Sequence, residues 1–316
     1  MVTVRLHDGA ELWTAVSGTG PPVVCLHGGP GTWDYLAPLA GLLDDTFTVI
    51  RFDQRGCGRS TGDGPFTIAQ AVEDLDQVRA AFGFDRWAVA GHSWGAELAI
   101  RYAARHQDRT TAVAYISGVG AGDGFREAAA AERDRRLGPE RERLAELFAV
   151  PEDDLTPELQ REMYLLQSRP NFSPGPAAAE HARKMWDGRP PGAAINRAAN
   201  RELWNDRATE DLHLAAARVT CPVTMLFGAD DPCPWAASDS LLAALPDASR
   251  TVLDHAGHAP WAERPADTRR VLIDALRSPA SPSREQRSPP VRTAGIPVRT
   301  AAPGPAADPE RRPGGS

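Results

Sequence analysis

The chain has 316 residues, 42% hydrophobic and 24% charged, with a formal net charge of −7 at pH 7, which is ordinary globular usage. That acidic balance excludes nucleic acid as an expected partner, and no apolar run reaches the roughly 20 residues that cross a bilayer. The first residues show no basic start followed by an apolar core, so a cytoplasmic protein without a membrane partner is expected.

In chain order, Val2 to Leu6 and Glu11 to Val16 flank Asp8-Gly9, a hairpin signal. Val23 to Leu26 reads as a buried strand and runs into His27-Gly28-Gly29-Pro30-Gly31. A glycine-dense loop at a strand end leaves backbone N–H groups unshielded, as an oxyanion hole requires. Phe47 to Phe52 is the next strand and feeds Asp53-Gln54-Arg55-Gly56-Cys57-Gly58-Arg59-Ser60. Gly56-Cys57-Gly58 lacks the third glycine and following helix of a dinucleotide fingerprint, so no cofactor is expected there or elsewhere. Ile68, Val72, Leu75, Val78 and Phe82 recur at helical spacing, with Gly83 as the stop.

Trp87 to Ala90 then reads as a short buried strand, and Ala96 to His106 as a helix. Between them lies Gly91-His92-Ser93-Trp94-Gly95. G-x-S-x-G between strand and helix is a nucleophile elbow, which turns sharply and projects the serine oxygen at the end of a sheet. The helix behind it offers backbone N–H groups to a developing oxyanion, and the two donors are assigned to Gly29 and Trp94. Thr111 to Ser117 is the following strand. Composition changes between Gly118 and about Thr220. Glu127 to Leu147 reads as one charged, Ala-rich helix; Pro170 to Pro176 and Arg189 to Gly192 break the pattern, and helix resumes over Ala193 to Trp204.

Pro222 to Phe227 is another buried strand, ending in Gly228-Ala229-Asp230-Asp231-Pro232. A late acid on a loop after a strand suits the order Ser, Asp, His. Asp231 is favoured as that acid, with Asp230 as the competitor. After the strand-like Arg250 to Leu253 comes Gly257-His258-Ala259, where small neighbours suit a catalytic histidine; His255 is its competitor. His258 would take the Ser93 proton and return it to the leaving group, while the aspartate fixes its tautomer. His92, inside the elbow, is expected to shape the site without taking the proton. Cys25, Cys57, Cys221 and Cys233 have neither disulfide nor metal-ligand spacing and read as free thiols.

The alternation of strand and helix predicts a mostly parallel sheet with helices on both faces, and ligands bind outside the carboxyl ends of such strands. The expected division is a core over 1–120, a helical cap over 121–211, the rest of the core over 212–277 and a tail over 278–316. That tail holds nine prolines among 39 residues and no apolar periodicity, which reads as disorder. Within it Pro290-Val291-Arg292-Thr293-Ala294 recurs as Pro297-Val298-Arg299-Thr300-Ala301.

With His27 to Gly31, Asp53 to Ser60 and Ser93-Trp94-Gly95 in this order, the chain resembles the α/β-hydrolases, and within them the proline iminopeptidase group. The resemblance implies an α/β-hydrolase fold with an inserted helical cap, a Ser93-His258-Asp231 triad and an architectural role for Asp53 and Arg55. It also implies cap carboxylates that hold a substrate's amino terminus. The nearest match to the group's W-x-x-W-E pattern is Lys184-Met185-Trp186-Asp187-Gly188, without the first Trp and with Asp for Glu; Glu202 is the second candidate anchor. Dehalogenase and epoxide hydrolase chemistry is disfavoured, because relatives of those types carry a carboxylate where Ser93 stands. Trp33, Trp94, Trp235 and Trp261 each lie close to a motif, and Trp33, Trp235 and Trp261 are expected to wall an apolar or cyclic substrate group.

The expected function is therefore serine hydrolysis of an amide or ester in a small molecule or short peptide, aminopeptidase-like in its most specific form. A carboxylesterase or lactonase is the alternative. A binding protein on the same fold is the third class, disfavoured because a receptor has no use for all three groups.

Overall fold

A computed structural model describes residues 2–122, 125–151, 154–193, 195–207 and 211–277. The expected tail over 278–316, with its repeated pentapeptide, lies outside the described residues. Eight strands form one sheet: β1 (Val2–Arg5), β2 (Glu11–Ser17), β3 (Pro22–Leu26), β4 (Thr48–Phe52), β5 (Trp87–His92), β6 (Thr110–Ile116), β7 (Val223–Gly228) and β8 (Ala248–Leu253). Their spatial order is β1-β2-β4-β3-β5-β6-β7-β8. β1, β2 and β4 pair antiparallel, and every pair from β4 to β8 is parallel. The expected mostly parallel α/β sheet is therefore present.

The inner strands read as continuous apolar runs because both sheet faces are covered. Alternate residues point to opposite sides. Val24, Leu26, Val89, Val113, Met225 and Phe227 join one buried cluster, while Val23, Cys25, Ala88, Ala90, Ala114 and Leu226 join another. The helices are α1 (Ala37–Ala40), α2 (Ile68–Ala81), α3 (Trp94–Arg105), α4 (Phe125–Leu137), α5 (Glu140–Ala149), α6 (Pro157–Ser168), α7 (Ala178–Asp187), α8 (Arg197–Asp206), α9 (Leu212–Ala216), α10 (Asp239–Ala244), α11 (Pro260–Glu263) and α12 (Pro265–Leu276). Residues of α2, α3, α8, α9 and α10 enter the first cluster, and those of α1, α7, α11 and α12 the second.

Two differences from the sequence expectation have local causes. The charged stretch read as one helix over Glu127 to Leu147 is two, α4 and α5, because Gly138 takes φ +58° and Pro139 follows it. α6 was not expected, although its start is legible. Thr156 caps it by accepting from Leu159 N–H, and Pro157 sits in its first turn. Helices α4 to α8 all fall between β6 and β7. Among the described residues no helix is long and apolar enough to cross a membrane.

Candidate active site

Four strands deliver the predicted motifs to one end of the sheet. The glycine loop follows β3, Ser93 follows β5, Asp231 follows β7 and His258 follows β8, each past a carboxyl end of the parallel array. Ser93 is the N-cap of α3 with φ 55° and ψ −118°, a left-handed conformation that a serine rarely adopts. Its hydroxyl makes no capping bond to the helix. The turn closes because its flanking glycines allow backbone contact. A Cβ on Gly95 would stand 2.2 Å from the Leu26 carbonyl oxygen, and one on Gly91 would stand 2.0 Å from that of Gly95.

His258 Nδ1 lies 2.8 Å from Asp231 Oδ2, and Asp231 Oδ1 accepts from the Cys233 N–H at 2.8 Å. Asp231 is buried, so the pair sits in a medium where its attraction is little screened. Asp230 turns elsewhere and accepts from the Ser173 hydroxyl. His255 is exposed. The competition between the paired aspartates and between the two histidines is resolved geometrically: Asp231 faces His258.

The glycine loop lies against the serine, since a Cβ on Gly28 would fall 2.8 Å from Ser93 Cβ. Gly28 N–H donates to the Tyr35 hydroxyl at 2.8 Å, and that hydroxyl donates to His92 Nδ1 at 2.6 Å. His92 Nε2–H in turn donates to the His258 carbonyl oxygen at 2.8 Å. One buried chain of hydrogen bonds thus ties the loop after β3 to the loop after β8. Burial, then the neighbouring His258, holds the His92 pKa well below the usual imidazole value, which keeps it neutral. Tyr35 carries no motif signal, so the sequence reading missed it.

Asp53 and Arg55 hold loops together. The fully buried Asp53 accepts from Asp34 N–H at 2.6 Å and from Arg59 N–H at 2.8 Å, and it pairs with the Arg59 guanidinium. Arg55 makes two 2.7 Å bonds to Asp74 and a third to Asp8. His27 joins the loops after β3 and β4: its Nδ1–H donates to Gly28 C=O and its Nε2 accepts from Gln54 N–H.

Ser93 and His258 line one open cleft of about 250 Å³, together with Gly29, Tyr35, Asn171 and Asn200. The segment between α6 and α7 and the start of α8 meet this end of the sheet through three hydrogen bonds. His258 N–H donates to the Asn171 carbonyl oxygen at 2.7 Å, Asn196 N–H to that of Gly31 at 2.7 Å, and Asn200 Nδ2 to that of Pro30 at 2.6 Å. No sequence signal marked these asparagines, because two of the three asparagine atoms involved are main-chain atoms.

The expected substrate-contacting residues divide. Trp33 stacks on Tyr164, which lines the cleft. Trp235 is not at the cleft: it lies beside β8 with the Arg250 guanidinium 4.5 Å above its ring. Trp261 packs edge-on against His92 at 4.6 Å and supports the site from behind. Trp94 is fully buried, edge-on to Trp204, and does not line the cleft. Asp187 and Glu202 are both exposed and neither lines the cleft; Asp187 is the last residue of α7 and Glu202 lies in the middle of α8. The two acids expected as anchors thus stand apart from the cleft lining. Among the described residues no carboxylate lines the cleft at all.

The cysteines are free and buried, and burial raises the thiols of Cys57 and Cys233 to about 12, so neither is a reactive thiolate. Among the described residues no group of three or more His, Cys, Asp or Glu is arranged to hold a metal ion.

Residues 21–265 match the family described as alpha/beta hydrolase fold. Over 111 residues the chain is 41% identical to the proline iminopeptidase of Saccharolobus solfataricus, covering 33% of this chain and 35% of that protein. Over 197 residues it is 33% identical to the probable proline iminopeptidase of Streptomyces coelicolor, covering 57% of each. The chain thus aligns with between about a third and somewhat over half of the length of these relatives. The structure of a proline iminopeptidase from Mycobacterium smegmatis superposes with a TM-score of 0.64 at 25% identity, covering 87% of this chain and 96% of that one. With a family match over most of its length and the strand order and elbow of that fold, the chain belongs to the α/β-hydrolase fold family and is proline iminopeptidase-like within it.

Proposed function

We propose that the chain is a serine hydrolase that cleaves an amide or ester bond through an acyl-enzyme, with Ser93, His258 and Asp231 as its triad. The 2.8 Å His258–Asp231 pair at the same sheet end as the strained Ser93 carries this reading. Asp231 holds the His258 Nδ1–H, which leaves Nε2 to accept the Ser93 proton as Oγ attacks the carbonyl carbon. The oxyanion that forms takes hydrogen bonds from the N–H groups of Gly29 and Trp94. Gly28 is excluded from that duty because its N–H already donates to Tyr35. Trp94 is the first residue of α3, so its N–H has no acceptor within the helix. As the tetrahedral intermediate collapses, His258 hands its proton to the leaving group. Water, deprotonated by His258, then releases the acid from Ser93.

The helices between β6 and β7 act in this reading as a cap that selects the substrate. The proline iminopeptidase relatives support an aminopeptidase acting on short peptides. One observation favours the second class, an esterase or lactonase. With Asp187 and Glu202 exposed, no carboxylate among the described residues lines the cleft to receive an ammonium group. Purified protein and Ser93→Ala are compared on prolyl and alanyl anilides and on short p-nitrophenyl esters. The serine variant is expected to lose at least about 10³-fold in kcat, with His258→Ala close to it. Full activity in Ser93→Ala overturns the proposal. Prolyl release by the wild type selects the aminopeptidase, and ester cleavage alone selects the second class.

A further inference from the structure

A second pocket opens beside the Ser93 cleft. Tyr164, Gln167 and Ile195 line both, so the two spaces adjoin across these side chains. Its cavity volume is about 90 Å³, room for a small planar group only. Its walls are aromatic: Trp33 stacks on Tyr164 at 6.0 Å between ring centroids, and Trp186 meets Tyr164 from α7 at 5.2 Å. Trp33 is 2% exposed, and its Nε1–H has no acceptor among the described residues. A buried indole N–H without an acceptor is costly, and a ligand oxygen would satisfy it.

Two arginines, Arg189 and Arg197, border this pocket, and of these Arg197 has an interaction partner of its own. No described carboxylate lines it. Arg189 is held in place from two sides. Its Nη1 donates to the Ala193 carbonyl oxygen at 2.8 Å, and its guanidinium lies 4.0 Å above the Trp186 ring. A guanidinium stacked on an indole and tied by one N–H still presents its outer donors, in a fork that matches a carboxylate.

We propose that this pocket is the acidic-group subsite of the Ser93 cleft: it receives a flat or cyclic substituent bearing a carboxylate, clamped by Arg189 between Trp33 and Trp186. The substrate class is an ester, lactone or amide that carries that acidic ring on one side of its scissile bond. The inference rests on Ser93 as the nucleophile only for the meaning of the word substrate; the binding itself is independent of turnover. Such a preference is opposite in sign to recognition of an amino terminus, and it accounts for a cleft without carboxylates.

The test uses phenylacetate and its neutral isostere phenylacetamide as probes of the Ser93→Ala protein, followed by tryptophan fluorescence and calorimetry. Phenylacetate is expected to bind at least about tenfold more tightly than the amide, as one desolvated charge-assisted pair allows. Arg189→Gln should remove that ratio and Arg189→Lys should restore part of it, with melting temperature confirming that each variant folds. Equal binding of acid and amide overturns the proposal. So does a ratio that persists in Arg189→Gln. Because Ser93→Ala is already inactive in the proposed mechanism, failure of the serine assignment shows only in turnover and leaves the binding result intact.

Discussion

Ser93 spends conformational energy to stand where it does. A non-glycine residue at φ 55° and ψ −118° costs on the order of 1–3 kcal/mol, and it persists because Ser93 N–H is held by the Ile116 carbonyl oxygen at 2.9 Å in the neighbouring strand. His92, one residue earlier, carries a different cost. It is held neutral by burial, while in the unfolded chain it takes up a proton near pH 6.5. Its folded pKa is depressed, so its contribution to stability is fully present above about pH 6.5 and is lost as pH falls below that value. The stability advantage of the wild type over His92→Asn is therefore expected to shrink by about 1 kcal/mol between pH 7.5 and 5.5. Urea unfolding of both proteins at the two pH values checks this, and a constant difference would show that His92 protonates freely in the fold. Taking the difference between the two proteins at each pH cancels the other titrating groups, including the half-buried Glu263, whose raised pKa works in the opposite direction.

Element packing sets the next level of precision. α3 begins directly at the elbow, and its first turn rests on the ends of β3 and β5 with no room for a side chain at Gly95. Gly95→Ala therefore sets two effects against each other. Alanine gains about 1 kcal/mol of helix propensity, but its Cβ would press at 2.2 Å on the Leu26 carbonyl and at 2.7 Å on that of His27. These are backbone atoms, which cannot swing aside, so the overpacking cost of about 1–3 kcal/mol is expected to win. The variant should melt several degrees lower and lose turnover, because the displaced His27 begins the loop proposed to supply an oxyanion donor. An unchanged melting temperature would mean that α3 can slide on the sheet. The first turn of α3 is fastened by charge as well. Glu97, fully buried, accepts from Arg101 within the helix and from Arg207 just past α8 at 2.6 Å.

At the scale of the whole molecule, the helices between β6 and β7 hold the catalytic end together. Arg136 of α4 reaches across to donate to the carbonyl oxygens of Pro170, Phe172 and Asp230 at 2.9, 3.0 and 2.8 Å, and to Glu132 within its helix. The segment it clamps contains Asn171, whose carbonyl receives His258 N–H. Arg136→Met keeps the apolar stem and leaves these carbonyls without their donor. A loss of about 2 kcal/mol in stability is expected, with a fall in kcat larger than any rise in KM, because the His258 loop slackens. Denaturant unfolding and steady-state kinetics measure both; unchanged kcat would show that the inserted helices cover the site without bracing it.

The sequence by itself determined the order of strands and helices in time, because inner strands such as Val23 to Leu26 and Pro222 to Phe227 are apolar on both faces and end in glycine-marked loops. It also determined which loops carry the chemistry, since G-x-S-x-G and His27 to Gly31 describe local backbone shapes set by neighbours in the chain. It missed the break at Gly138-Pro139 and the helix over Pro157–Ser168, where charged, weakly patterned residues leave little periodicity to read. Only the tertiary structure decided which aspartate faces His258, that Trp235 lies under Arg250 away from the cleft, and that Asp187 and Glu202 point to solvent. These outcomes depend on the angle at which elements 30 to 160 residues apart cross one another (about the separation of β7 from β8 at one extreme and of the serine from His258 at the other), and no local pattern encodes that angle. The aromatic pocket beside the cleft belongs to the same class. Trp33 leaves the core after β3 while Tyr164, Trp186 and Arg189 come from the inserted helices, so their meeting is a property of packing alone.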